Sequence, residues 1–180
     1  MDRVKQIVDA AVELAEEGGF DNVRQREVAA RAGVTLRTLY RKFRTKEELL
    51  TAAMAREADA LEAELARRPI KAPTAEERLS AFFSAMTRVL TRRPSLGKAV
   101  VRAMASGASG TVAHVLAFQG RAMALVVGAA APEPIAPDVV LLLLQIHFAC
   151  LVGWSADLAS PKDVDGQMSR AIGIVLRGAR

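Results

Sequence analysis

Apolar positions recur at helical spacing along almost the whole chain, with polar positions filling the gaps. Val4, Ile7, Val8, Ala11, Leu14 and Ala15 lie three or four residues apart and predict a first amphipathic helix, which Gly18 and Gly19 stop. Residues 24–32 repeat the pattern on a shorter scale with Val28, Ala29 and Ala32 inward. Gly33 then supplies the left-handed backbone that ends a helix and turns the chain. Thr35 is a good N-cap for a third helix over 36–43, in which Leu39 and Phe43 are four apart and face inward together. Thr45 with Glu48 is a capping-box signature that opens a fourth helix, running to about residue 67.

Residues 68–73 are a proline-bounded break, after which Thr74 with Glu77 repeats the capping box and starts a fifth helix ending near Arg93 and Pro94. A sixth helix is expected over 95–106, and the glycines at 107 and 110 break the chain before a seventh over 111–131. A linker with three prolines at 132–137 precedes helix eight, opened by Asp138. Ser160 and Pro161, an N-cap followed by Pro at the first helical position, start helix nine with Val164, Met168, Ile172 and Val175 on one face. No period-2 strand pattern or internal repeat stands out. The expectation is an all-α chain of nine helices.

The run 139–158 is nearly long enough to cross a bilayer, which takes ~20 apolar residues. Gln145, His147 and Asp157 interrupt it, and each is costly in lipid. A helix apolar nearly all round also suits a subunit interface, with one side on its own core and the other on a partner. The buried interface is the expectation, and no membrane partner is assigned.

Helix three presents a different surface. With Leu39 and Phe43 inward, Arg37, Thr38 and Arg41 point away from the core at ~100° per residue, with Tyr40 and Lys42 on the flanks. Two guanidiniums and a hydroxyl, with a phenol and an ammonium beside them, suit a major groove walled by phosphates. Residues 24–46 hold eight bases against the single acid Glu27, a local charge of +7, whereas the whole chain carries +5. Phosphate binding depends on such a concentrated patch, but charge alone does not separate it from an ordinary solvated helix face; the turn at Gly33, the Thr35 cap and the inward Leu39 and Phe43 do. These features together predict a helix-turn-helix reader of double-stranded DNA.

Composition narrows the remaining choices. Hydrophobic residues make up 51% and aromatics 4%, a core of Ala, Leu and Val. One cysteine, Cys150, excludes an internal disulfide and fits a reducing cytoplasm, and the start M-D-R-V-K-Q shows no export signal. His114 and His147 each lack a second ligand at metal spacing, and neither a Walker loop, a dinucleotide fingerprint nor a nucleophile elbow is present. The pairs Glu16-Glu17 and Glu47-Glu48 fit solvated helix faces. No metal, cofactor or catalytic apparatus is expected, so the chain is not read as an enzyme.

The segments A-A-V-E-L-A-E-E-G-G-F-D at 10–21, V-A-A-R-A-G-V-T at 28–35 and T-L-Y-R-K-F-R-T-K-E-E-L-L at 38–50 resemble the DNA-binding domain of the TetR family of bacterial regulators. That resemblance implies a helix-turn-helix domain over 1–46 and a ligand-binding and dimerisation domain over 47–180. It also implies a homodimer through helices near 138–159 and 161–176. Thr35, Tyr40 and Lys46 would grip phosphates, while Arg37, Thr38 and Arg41 would reach base edges. The chain departs from the family pattern at Arg24, where Thr is common, at Gln25, usually apolar, and at Arg44, often Pro. Arg24 and Gln25 either make extra DNA contacts or lie solvated at the helix start.

The later helices contain Phe82, Phe83, Met86, Met104, Met123, Leu125, Val126, Leu144 and Phe148, a set that either lines an apolar cavity or forms plain core. R-L-S-A-F-F-S-A-M-T-R-V-L-T-R-R-P and A-V-V-R-A-M-A-S-G-A-S resemble actinobacterial members of the family that repress sterol catabolism and are released by a steroid acyl-CoA. By that likeness the effector is a small apolar or amphipathic molecule, with Arg88 or Arg102 meeting its phosphate. Arg102 could equally pair with a helix end. The competing class is a membrane-anchored or scaffolding helical adaptor with a basic surface.

Overall fold

Nine α-helices and one short 3₁₀ turn make up the computed structural model, which describes residues 2–178, and no strand occurs among them. They are α1 (Arg3–Asn22), α2 (Gln25–Arg31), α3 (Leu36–Lys42), α4 (Lys46–Arg67), α5 (Ala75–Thr91), α6 (Pro94–Ala105), α7 (Val112–Ala130), α8 (Pro137–Ser155) and α9 (Pro161–Gly178).

Local cap chemistry sets most of the starts. Asp2 accepts from the Val4 amide at 2.9 Å, and the Thr35 hydroxyl accepts from the Thr38 amide at 3.2 Å. Thr74 and Glu77 form the reciprocal box, at 3.2 Å from the Glu77 amide to Thr74 Oγ1 and 3.1 Å from the Thr74 amide to the Glu77 carboxylate. Ser160 and Asp163 do the same before α9. At α4 the box is shifted: the Glu48 amide donates to Thr45 Oγ1 at 3.1 Å, but the Glu48 carboxylate accepts from the Arg44 amide at 2.7 Å, one residue beyond the cap. Gly18 and Gly19 break α1, with Gly19 at φ +69°, and three more helical residues follow the break. The first helix therefore extends as a kinked element to Asn22, past the glycines expected to stop it.

The end of α8 also differs from expectation. It stops at Ser155, where the Leu158 amide donates to Gly153 O and the Asp157 amide to Trp154 O, both at 3.0 Å. This is a Schellman closure with Asp157 at φ +60° in the position glycine usually takes. The expected helix over 138–159 is thus shorter at its C-terminal end.

The chain forms two compact units. The first gathers the residues up to Glu57 with Arg92–Phe118, so it runs past residue 46 and takes in α6. Its core pairs α1, through Ile7, Ala11, Leu14 and Ala15, with Leu96, Ala99, Val100 and Ala103 of α6. Buried Glu57 holds Arg93, which also meets Glu16 at 2.6 Å, tying α4, α6 and α1 together.

The second unit comprises Ala58–Thr91 and the residues from Gln119 onward. Leu79, Phe82, Phe83 and Met86 of α5 bury against α9, which contributes Val164, Met168 and Ile172. Arg78 is buried at the end of the first turn of α5, and its guanidinium donates to Ala130 O at 2.8 Å, Ala129 O at 3.3 Å and Ala72 O at 2.9 Å, and pairs with Glu133. It satisfies the orphan carbonyls at the C-terminus of α7, which the helix itself cannot. Both α7 and α8 are long and apolar enough to cross a membrane by length and composition. One side of α8, with Val140, Leu143, His147 and Leu151, is buried, while Leu142 and Val152 on the other are exposed.

Candidate nucleic-acid interface

The turn between α2 and α3 is fixed by backbone bonds. Gly33, at φ +64°, lets the Val34 amide reach Ala29 O at 3.0 Å, which closes α2 and aims the chain into α3. Thr35 then holds Thr38 twice, through the backbone amide and through a 3.0 Å contact between the two hydroxyls. Leu39 and Phe43 are buried as their spacing predicts, and the Phe43 ring stacks on His114 with centroids 6.4 Å apart.

The opposite side of α3 is open. Arg37, Tyr40, Arg41 and Lys42 are exposed, Thr38 is half-buried, and among the described residues neither Arg37, Arg41 nor Lys42 has a carboxylate partner. Uncompensated guanidiniums on a surface helix are poised for phosphate or base-edge acceptors. Elsewhere the basic run is partly neutralised from within. Arg31 makes a two-pronged contact to Glu17 at 2.6 and 3.1 Å, and its hydrogen bonds hold the Glu17 carboxyl below the usual range.

Three of the sequence-selected residues have partners of their own. Arg24 lies 3.4 Å from Glu27 with both side chains exposed, at the N-cap position of α2. Gln25 is half-buried, and its amide donates to Arg44 O at 3.0 Å and reaches Phe43 O at 3.5 Å. It ties the start of α2 to the chain leaving α3, a contact 19 residues away that no local pattern announces. Lys46 donates to Phe20 O at 3.3 Å and lies 3.7 Å from Asp21.

The apolar candidates divide between the units. Phe82 and Phe83 are fully buried in the second unit in an edge-to-face pair 5.5 Å apart, and Met86 is buried beside them. Met123, Leu144 and Phe148 of that unit are half-buried. Met104 and Arg102 stand on α6 in the first unit, where Arg102 is exposed and donates to Asp21 at 3.2 Å. His147 is a hydrogen-bonded interior residue, with Nε2 3.0 Å from the Thr87 hydroxyl. Burial raises the Cys150 thiol above its ordinary pKa.

Residues 7–53 match the model of the bacterial regulatory proteins of the tetR family, and residues 73–175 match the tetracyclin repressor-like C-terminal domain. The chain is 31% identical over 178 residues to the HTH-type transcriptional repressor KstR of Rhodococcus jostii, covering 97% of this chain and 83% of that protein. It is 29% identical to the protein of that name from Mycolicibacterium smegmatis, over 97% of this chain and 87% of the relative. Among solved structures, a TetR transcriptional regulator from Rhodococcus sp. RHA1 superposes with a TM-score of 0.85 at 26% identity, covering 97% of this chain and 94% of that one. Thermus thermophilus FadR, a TetR-family transcriptional repressor solved in complex with lauroyl-CoA, shares the fold with a TM-score of 0.70 at 17% identity, over 97% and 94% of the two chains.

Proposed function

The chain belongs to the TetR family of bacterial regulatory proteins and is a DNA-binding transcriptional repressor, and we propose that it works as a dimer released from its operator by an apolar or acyl-CoA-like small molecule. The observation that carries the DNA side of this reading is the open cationic face of α3 set opposite buried Leu39 and Phe43. Arg37, Thr38 and Arg41 read base edges, while Thr35, Tyr40, Lys42 and Lys46 hold phosphates, with Arg24 at the edge of the same surface. By function the chain divides into a reader over 1–46 and an effector and dimerisation part over 47–180, acting in the cytoplasm where its operator lies.

A single such reader touches too few bases for useful specificity, and two related by a two-fold axis read half-sites ~34–36 Å apart. Exposed Leu142 and Val152 on α8 and Ile174 on α9 support pairing through these helices. The effector is assigned to the second unit, among Phe82, Phe83, Met86, Met123, Leu144 and Phe148. The lauroyl-CoA held by the Thermus thermophilus protein suggests the class to test first.

Helix α4 begins in the first unit and ends in the second, so it couples the reader to effector binding. An effector acts only if it prefers one arrangement of α4, and ~5.5 kcal/mol of preference swings a population from 1:99 to 99:1. By linkage, operator DNA must weaken effector binding by the same factor. The experiment selects a duplex from a random pool with the full chain, then titrates acyl-CoA, steroid and fatty-acid panels into the complex. A soluble dimer released by one of these supports the reading. Release by none, with unchanged thermal stability, overturns the effector assignment. Extraction that depends on detergent favours the membrane-anchored adaptor instead.

A further inference from the structure

Beside the reader, two cations share one aromatic ring and one carboxylate. The Lys46 ammonium lies 3.9 Å from the Phe20 ring centroid and the Arg102 guanidinium carbon 4.2 Å from it. Asp21 divides its oxygens between them: Oδ1 is 3.7 Å from Lys46 Nζ, and Oδ2 accepts from Arg102 Nη1 at 3.2 Å. All four residues lie in the first unit, from the segment after the Gly19 break, the first turn of α4 and the last turn of α6.

The Arg102–Asp21 ion pair adds little stability. Asp21 and Arg102 have side chains 77% and 59% exposed, and ion pairs so solvated contribute little to folding. What the pair does change is the charge that Lys46 meets. A carboxylate within ion-pair reach of Lys46 competes with any phosphate for the same ammonium. A guanidinium bound to the other oxygen of that carboxylate weakens the competition.

We propose that Arg102 is a positioning residue for DNA binding: by holding Asp21 and sharing the Phe20 ring, it leaves Lys46 able to move onto a phosphate. The inference rests on Lys46 as a phosphate contact and gives Arg102 a role away from any effector. Without Arg102, Asp21 and Phe20 hold Lys46 together and the phosphate contact weakens. Without Asp21, Lys46 keeps only its contacts with the Phe20 ring and carbonyl, and Arg102 has nothing left to neutralise. The reach is local, because exposed charges beyond about a Debye length are screened.

The test is a pair of double-mutant cycles on the full chain with a duplex recovered by selection from a random-sequence pool. Arg102→Gln should weaken binding about three- to five-fold, the size expected of an exposed charge interaction, and Arg102→Lys should restore most of it. Asp21→Asn should tighten binding by a similar factor. In Asp21→Asn or Lys46→Ala backgrounds the Arg102→Gln effect should fall within about two-fold, which neither a direct Arg102–DNA contact nor loss of folding would produce. A readout without DNA accompanies it: the ring current of Phe20 shifts the Lys46 Hε resonances upfield, and Arg102→Gln should deepen that shift. Additive effects in both cycles, or Lys46 resonances unmoved by Arg102→Gln, overturn the inference while leaving the DNA reading intact. Failure of the wild-type chain to recover any duplex is a separate result, seen before any variant is made, and sinks both.

Discussion

His147 and Thr87 meet across the interior of the second unit, 3.0 Å apart, with the Phe83 ring centroid 5.2 Å from the imidazole. The Thr87 hydroxyl has one proton and lies 3.0 Å from Phe83 O. Donating there, its oxygen accepts from His147 Nε2–H, which fixes a neutral tautomer in the core.

That burial makes stability depend on pH. Desolvation pushes the His147 pKa from 6.5 down to about 4. Above pH 6.5 the imidazole is neutral folded and unfolded, and it costs nothing. Between pH 6.5 and 4 the unfolded chain takes a proton that the folded chain refuses, so stability falls as pH falls, by about 3 kcal/mol in all. Denaturant melts of wild type and His147→Gln should diverge in that window, with the variant flatter. The exposed carboxylates Glu17 and Asp163, held low by hydrogen bonds, also lose stability toward acid but do so equally in both proteins.

Gln25→Ala should lower stability by about 1 kcal/mol, because it removes the donor to Arg44 O. A DNA contact alone would leave the melting temperature unchanged and alter only affinity. Calorimetry without DNA separates the two roles.

Arg37→Ala should cost ~1–3 kcal/mol of binding and relax preference at one base position, as loss of a bidentate base contact does. Lys46→Ala should weaken all sequences alike and reduce the salt slope by about one. Binding isotherms over a salt series, on the selected duplex and its single-base variants, check both. If Arg37→Ala changes the slope and not the preference, its assignment to base readout is wrong.

Arg78→Met should destabilise the second unit by roughly 2–3 kcal/mol, since it strands the carbonyls of Ala129 and Ala130 and unpairs Glu133. Arg78→Lys should recover only part, because one ammonium cannot span the four carbonyls that the guanidinium fork reaches. Urea midpoints at neutral pH measure both.

The features that were legible in the chain are those whose cause is local. Thr35, Thr74 and Ser160 begin helices because their hydroxyls meet amides three residues on, and Gly33 turns the chain because it alone needs no Cβ clearance there. The inward pairing of Leu39 with Phe43 follows from spacing alone. What escaped the sequence depends on distant partners. Lys46 reads as a phosphate grip, yet it rests on Phe20, 26 residues away, and Gln25 reads as surface while it spans α2 to the end of α3. Arg78 looks like a polar residue of an amphipathic helix, and only the approach of the α7 terminus gives it a reason to be buried. The end of α8 was missed because Asp157, not glycine, takes the left-handed position.

The open cationic side of α3 also bears on how the reader folds. Eight bases fall within 23 residues, and Arg37, Arg41 and Lys42 on α3 have no carboxylate partner among the described residues, so this side of the native state is assembled against its own repulsion. Any anion that settles there binds the folded reader and not the dispersed chain, so it raises stability by mass action. Bound DNA should therefore raise the stability of the folded reader as well as being its target.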